Sequence, residues 1–169
     1  KVLLTLQFVR PGFMLAFLRD RNDSQSVIDV FGRLWTLAGA DRFRRLFPVL
    51  LTDNGSEFSN PKALELDPAG QRRTRVFYCD PRATNQKSRI ERNHEFIRMV
   101  LPKGSSFDHL SQADVDTLMS HVNSYSRPSL QDKSPCDLFA FLHGTDLLDQ
   151  LGIRKIPATE LLLKPRLIP

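Results

Sequence analysis

Pro48-Val49-Leu50-Leu51-Thr52-Asp53-Asn54-Gly55-Ser56-Glu57-Phe58 carries an apolar run straight into a polar turn. A run this short, bounded by Pro on one side and Asn-Gly on the other, reads as a buried strand rather than a helix. The strand ends at Asp53, and Asn54-Gly55 makes the turn. A carboxylate at that point projects from the carboxyl edge of a sheet, where open α/β folds place their ligands.

Upstream, residues 1–9 have β-type composition, and Pro11-Gly12 separates them from a second apolar run, Phe13 to Leu18, so the two read as a hairpin. From Asp23-Ser24 the period changes. Val27, Ile28, Phe31, Leu34, Trp35 and Leu37 or Ala38 recur at helical spacing, with Gly39 near the end. Downstream, a short helix is expected around Glu57 to Leu66, and a strand over Thr74 to Tyr78 closed by Cys79-Asp80-Pro81. A helix follows from about Gln86 to Val100, stopped by Pro102 and Gly104. Ser111 with Asp114 has capping-box spacing, and Ser134-Pro135 starts a further helix with Pro at its first position. Strands alternating with helices predict a mixed α/β domain with helices packed on the sheet.

The chain has 169 residues, 41% of them hydrophobic, which is enough for one domain with a core and too little for two. Apolar clusters such as Phe13 to Leu18 fall far short of a membrane span. Cys79 and Cys136 make no disulfide framework, which fits a reducing cytoplasm. The net charge is +5, and it is localised: residues 72–98 hold eight Lys and Arg against three acids, so the rest of the chain sums to zero. A basic segment on a neutral body suits a polyanion partner, although a solvated charged face has the same composition.

Glu91 lies 38 positions after Asp53, on the helix that carries much of this charge. Two carboxylates from different elements can hold a hard divalent cation, and such a cation promotes phosphoryl transfer. Taken singly, each residue has a plainer reading. An Asp-Asn-Gly turn is common at strand ends, Glu91 suits a solvated helix face, and His94 could simply cover that face.

In combination the motifs say more. Leu51-Thr52-Asp53-Asn54-Gly55-Ser56-Glu57-Phe58, then Tyr78-Cys79-Asp80-Pro81, then Asn85-Gln86-Lys87-Ser88-Arg89-Ile90-Glu91-Arg92-Asn93-His94 closely resemble the catalytic core of bacterial DDE transposases of the insertion-sequence-thirty type, which are related to retroviral integrase cores. The resemblance continues through Leu101-Pro102-Lys103-Gly104, Asn123 to Pro128, and Ser134 to Phe139. It implies an RNase H-like mixed sheet flanked by helices, and a catalytic core over residues 1–144 followed by an extension over 145–169. The implied activity is cutting and joining of DNA strands with Mg²⁺ or Mn²⁺ held by two aspartates and a glutamate. Water and then a 3′-hydroxyl would be the nucleophiles. By motif position Asp53 resembles the second aspartate and Glu91 the glutamate. Lys87, Arg89, Arg92, His94 and Arg98 are then expected to contact DNA, with Asn54, Gly55 and Asn93 supporting the site. Homo-oligomers are implied as well, because two active sites act on two element ends, and so is a bacterial cytoplasmic, nucleoid-associated location.

Two departures stand out. Ser88 replaces a frequent Gly, and Arg82-Ala83-Thr84-Asn85 fills a loop that is usually aromatic or Ser-containing. More importantly, the family's first aspartate lies on the first strand, and no acid occurs here before Asp20. The chain is therefore expected to be a transposase fragment without the first, central strand, inactive in strand transfer by itself. Two other functions compete with a catalytic core: a non-catalytic nucleic-acid-binding remnant, and a regulatory fragment that poisons a full-length transposase.

Overall fold

The computed structural model describes residues 1–80 and 88–169, together with the backbone but not the side chains of Ser88, Arg89, Ile90 and Arg92. It is a mixed α/β structure with two small sheets and several helices. The expected helix start at Gln86 and the Arg82–Asn85 loop lie outside the described residues. The chain divides into two compact units, Lys1–Leu18 with Lys87–Pro169, and Arg19–Gln86. The physical reason is that the apolar residues form two clusters, each with its own aromatic centre.

In the unit over Arg19–Gln86, helix α1 (Ser24–Ala38) begins where the Asp23 carboxylate accepts from Ser26 N–H at 2.8 Å. Its buried residues, Val27, Val30, Phe31 and Leu34, follow the helical period. Gly39, at φ 76°, ends α1 and opens α2 (Ala40–Leu46), a helix the periodicity reading did not separate. A positive φ suits glycine there because it has no Cβ to clash. Helix α2 brings Phe43 to 5.2 Å from Trp35 and 4.9 Å from Phe47, ring centre to ring centre, which forms this unit's core.

Strands β3 (Val49–Thr52) and β4 (Arg75–Tyr78) pair in parallel, with Val49 opposite Arg75 and Thr52 opposite Tyr78. A 3₁₀ turn (Ser56–Phe58) and helix α3 (Pro61–Glu65) make the crossover between them. The expected buried strand is buried on one face only: Thr52 is covered, whereas Val49 and Leu51 are 52% and 54% exposed and Phe77 is 51% exposed. Side chains alternate across a strand, so one uncovered face exposes every second residue. Along the outer edge of β4, Glu65 accepts from Val76 N–H through its carboxylate at 2.9 Å.

In the other unit, β1 (Val2–Gln7) and β2 (Met14–Arg19, its last residue falling in the preceding unit) form the expected hairpin. Helices α4 (Ser88–Val100), α5 (Gln112–Ser124), α6 (Pro135–His143) and α7 (Asp146–Gln150) follow. Both expected cap signals are realised, with reciprocal capping boxes at Ser111/Asp114 and Ser134/Asp137. Helix α5 buries Val115, Leu118, Met119 and Val122, and Phe13 stacks on Phe139 of α6 at 4.3 Å. The outer edge of β2 is closed by side-chain amides of α5. Asn123 accepts from Met14 N–H at 2.8 Å and donates to Met14 C=O at 2.7 Å. Gln112 does the same one register along, accepting from Leu18 N–H and donating to Ala16 C=O.

Residues beyond 150 run along α5 and are held by its buried polar groups. Ser120 and Ser124 hydroxyls accept from Arg154 and Ile156 N–H, and His121 Nδ1 accepts from Leu162 N–H at 3.1 Å. Lys155 adds an ion pair to Asp137 at 2.6 Å. Burial pushes the Asp137 carboxyl up, but Lys155 and the Ser134 hydrogen bonds outweigh it and hold it below the ordinary range.

Candidate functional site

Strand β3 delivers its chain into the turn at Asp53, whose side chain is exposed. The Asp53 carboxylate accepts from Gly55 N–H at 3.3 Å, an Asx turn that folds the acid back over the glycine. Glu57, in the following 3₁₀ turn, folds over the same glycine. A Cβ built on Gly55 would lie 2.5 Å from Glu57 Oε2 and 3.1 Å from Asp53 Oδ1. Gly55 has φ −61°, so it is needed here for space and not for backbone freedom. The end of β4 steadies this turn: Tyr78 O–H donates to Phe58 C=O at 2.6 Å.

Glu57 is a functional candidate that the sequence reading quoted within a motif but did not single out. Its place two residues after Gly55 was legible, but its return over that glycine was not. Arg19 lies within the electrostatic reach of Glu57. That guanidinium is 5% exposed and donates to Ser26 Oγ at 2.8 Å and to Asn22 Oδ1 at 3.0 Å. Burial pulls its pKa down, and Glu57 and then Asp23 push it back up.

The donor set here is chemically suited to a hard divalent cation: two carboxylates converge on a cradle that only glycine leaves open. Among the described residues no group of three or more His, Cys, Asp or Glu gathers, so this turn supplies two acidic residues and no third.

Glu91 lies in the first turn of α4 and is exposed, in the unit that does not contain Asp53. A carboxylate in a first turn faces the positive end of the helix dipole. Asn93, expected to support the site, is fully buried. Its amide donates to Gly12 C=O at 3.1 Å and accepts from Arg127, whose guanidinium sits 5.0 Å from the Phe96 ring centre. Asn93 and Arg127 thus hold α4 against the hairpin turn, and Arg127 is a further residue to which the sequence reading gave no role. His94 Nε2 lies 2.9 Å from Thr5 Oγ1 on β1 and is half-buried. Arg98 is exposed in the last turn of α4. Arg89 and Arg92 belong to the same helix, but their side chains, and Lys87 entirely, lie outside the described residues. Asn54 is exposed in the turn beside Asp53.

Among the described residues no helix is long and apolar enough to cross a membrane. Comparison with known proteins adds two distant relatives. Over 127 residues, 75% of this chain, the sequence is 27% identical to the transposase for insertion sequence element IS1086 of Cupriavidus metallidurans, of which the match covers 35%. Over 90 residues, 53% of the chain, it is 31% identical to ORF3 of Spiroplasma virus SpV1-R8A2 B, a protein named as an integrase, of which the match covers 27%. The chain therefore spans about a third or less of the length of these relatives. No family model matches, and no solved structure matches. What the sequence is similar to, at a distance, is a transposase and an integrase.

Proposed function

We propose that this chain is part of the catalytic core of a DNA transposase of DDE type, with an RNase H-like fold, that cuts DNA strands and joins them to a target. The observation that carries this reading is Asp53 at the carboxyl end of a parallel strand, folded with Glu57 over the Gly55 cradle. The similarity to a transposase and an integrase supports it.

Asp53 and Glu91 are the residues that would hold Mg²⁺ or Mn²⁺, with Glu57 beside Asp53. A bound divalent cation supplies charge neutralisation at phosphate oxygens and a more acidic nucleophile. The chain's own contributions are to position and to bind. Arg19 lies within electrostatic reach of Glu57, Asn93 and Arg127 fix α4, and Lys87, Arg89, Arg92, His94 and Arg98 are the residues that would contact the phosphate backbone. Assembly on DNA as a homo-oligomer belongs to the same reading.

The reading also requires a third carboxylate, on an Asp-bearing strand, which the described residues do not gather at this turn.

The test uses supercoiled plasmid with Mg²⁺ or Mn²⁺. The purified chain is expected to bind DNA in a salt-sensitive way without nicking it. A version extended in frame by an Asp-bearing strand is expected to nick, and Asp53→Asn or Glu91→Gln in that version to lower the rate at least about 100-fold. Nicking by the extended version that survives both substitutions would overturn the assignment. Salt-sensitive binding by a version that never nicks would favour the non-catalytic remnant instead.

A further inference from the structure

An open pocket of about 490 Å³ lies between α1 and α3, lined only by residues of its own unit. Its walls are mainly apolar, from Ile28, Ala63, Leu66 and Pro68, and its polar lining is Asn60, the cations Lys62 and Arg73, and Asp67, whose carboxylate is held by Arg44. A few placed polar groups in an apolar cavity of roughly 300–1,000 Å³ are the usual makeup of a small-molecule site.

Arg73 gives this cavity its chemistry. The residue is 5% exposed, yet it has no carboxylate in ion-pair contact among the described residues. Nε donates to Leu64 C=O at 2.9 Å and Nη2 to Ala63 C=O at 3.2 Å, leaving Nη1 without a hydrogen bond there. The guanidinium lies 5.8 Å from the Trp35 ring centre and 5.5 Å from that of Phe43. Asp67 acts on it only through space, because its own oxygens are taken: Oδ2 by Arg44 at 3.1 Å, Oδ1 by Ala69 and Gln71 N–H. Burial accordingly lowers the pKa of Arg73. A largely buried cation with no direct ion pair, and with one donor that no protein group takes, gains from an anion with acceptor oxygens.

We propose that this cavity binds one nucleotide, its phosphate on Arg73 and Lys62 and its organic part against Ile28, Leu66 and Pro68. The phosphate-ester chemistry is common to a free mononucleotide and to a nucleotide within a DNA strand. The site rests on the nucleic-acid reading above only for the second of these sources. Gly32 lies on the α1 side of the cavity, and a Cβ there meets nothing within 4 Å, so a larger residue at this position would grow into the space.

The chain has one tryptophan, Trp35, and it touches the proposed anchor, so its emission excited at 295 nm is the readout. Titrations are run in EDTA, which separates them from any cation-dependent chemistry, with inorganic phosphate, deoxyadenosine monophosphate and a single-stranded oligonucleotide. A saturable change is expected with the mononucleotide, the oligonucleotide or both, tighter than with inorganic phosphate. Gly32→Leu and Arg73→Gln should each weaken it at least about tenfold. Gly32→Leu decides the matter if Arg73→Gln fails to fold, since replacing a helical glycine favours the helix. A response to the oligonucleotide alone identifies a strand as the source, and one to the mononucleotide alone a free ligand. No saturable change, or affinities that Gly32→Leu leaves intact, overturns the site. Asp53→Asn should leave these titrations unchanged, so loss of nicking with intact titration strikes only the proposed catalytic function.

Discussion

Gly55 separates two acids that would otherwise have no common ground. The steric conflict that a Cβ would create is with the far end of the flexible Glu57 side chain, at 2.5 Å, and with Asp53 Oδ1 at 3.1 Å. Gly55→Ala is therefore expected to cost little stability, within about 1 kcal/mol, because Glu57 can swing away. It should nonetheless weaken Mn²⁺ binding severalfold by calorimetry. Unchanged affinity would show that Glu57 takes no part in holding the cation. His121 is the second residue whose chemistry can be read directly. Its Nδ1 accepts from Leu162 N–H, and its pKa is lowered, chiefly by burial and partly offset by Glu160. The folded form thus favours the neutral ring, so as pH falls the unfolded chain takes up the proton first. The stabilisation is complete above the ordinary histidine value of about 6.5 and is lost as pH drops through the lower folded value. Hydrogen exchange at the Leu162 amide, corrected for intrinsic rate, should therefore be faster at about pH 5.5 than at about pH 7.5. Equal protection at both would exclude His121 as the group that fastens the tail.

At the scale of elements, the two sheets owe their limits to side chains. Asn123 is fully buried and satisfies both backbone groups of Met14, so Asn123→Leu leaves a buried N–H and C=O without partners. The expected loss is about 3 kcal/mol in chemical denaturation, the sum of two unsatisfied groups. A loss below about 1 kcal/mol would mean that β2's outer edge is wet and that the amide is not its cap. Helices were far more legible than strand environment. Asp23, Ser111 and Ser134 announce their helices because a cap is a local hydrogen bond between near neighbours in the chain. Helix α2 escaped because Gly39 reads as a stop, and here it ends one helix and starts the next. The exposure of Val49 and Leu51 escaped for another reason. Apolar composition shows that a face seeks cover, and only the neighbours present determine whether it has it.

For the whole molecule, the charge map is the property with the longest reach. Eight of the chain's cations fall within residues 72–98, and Arg98 is exposed at the end of α4. Arg98→Ala is expected to weaken DNA binding evenly across sequences and to lower the slope of log affinity against log salt by about 1. A sequence-dependent loss with an unchanged slope would mean that Arg98 reads bases and not phosphates. Net charge, motif order, helix caps and the placement of Asp53 at a strand end were determined by the sequence alone, because each depends on residue identity or on neighbours a few positions away. The division into two units, the pairing of Glu57 with Asp53, the amide-capped edge of β2 and the place of Arg73 beside its pocket without a direct ion pair were decided only by tertiary structure. All of these depend on which groups meet from separate elements or share a local turn geometry, and linear spacing does not carry that information.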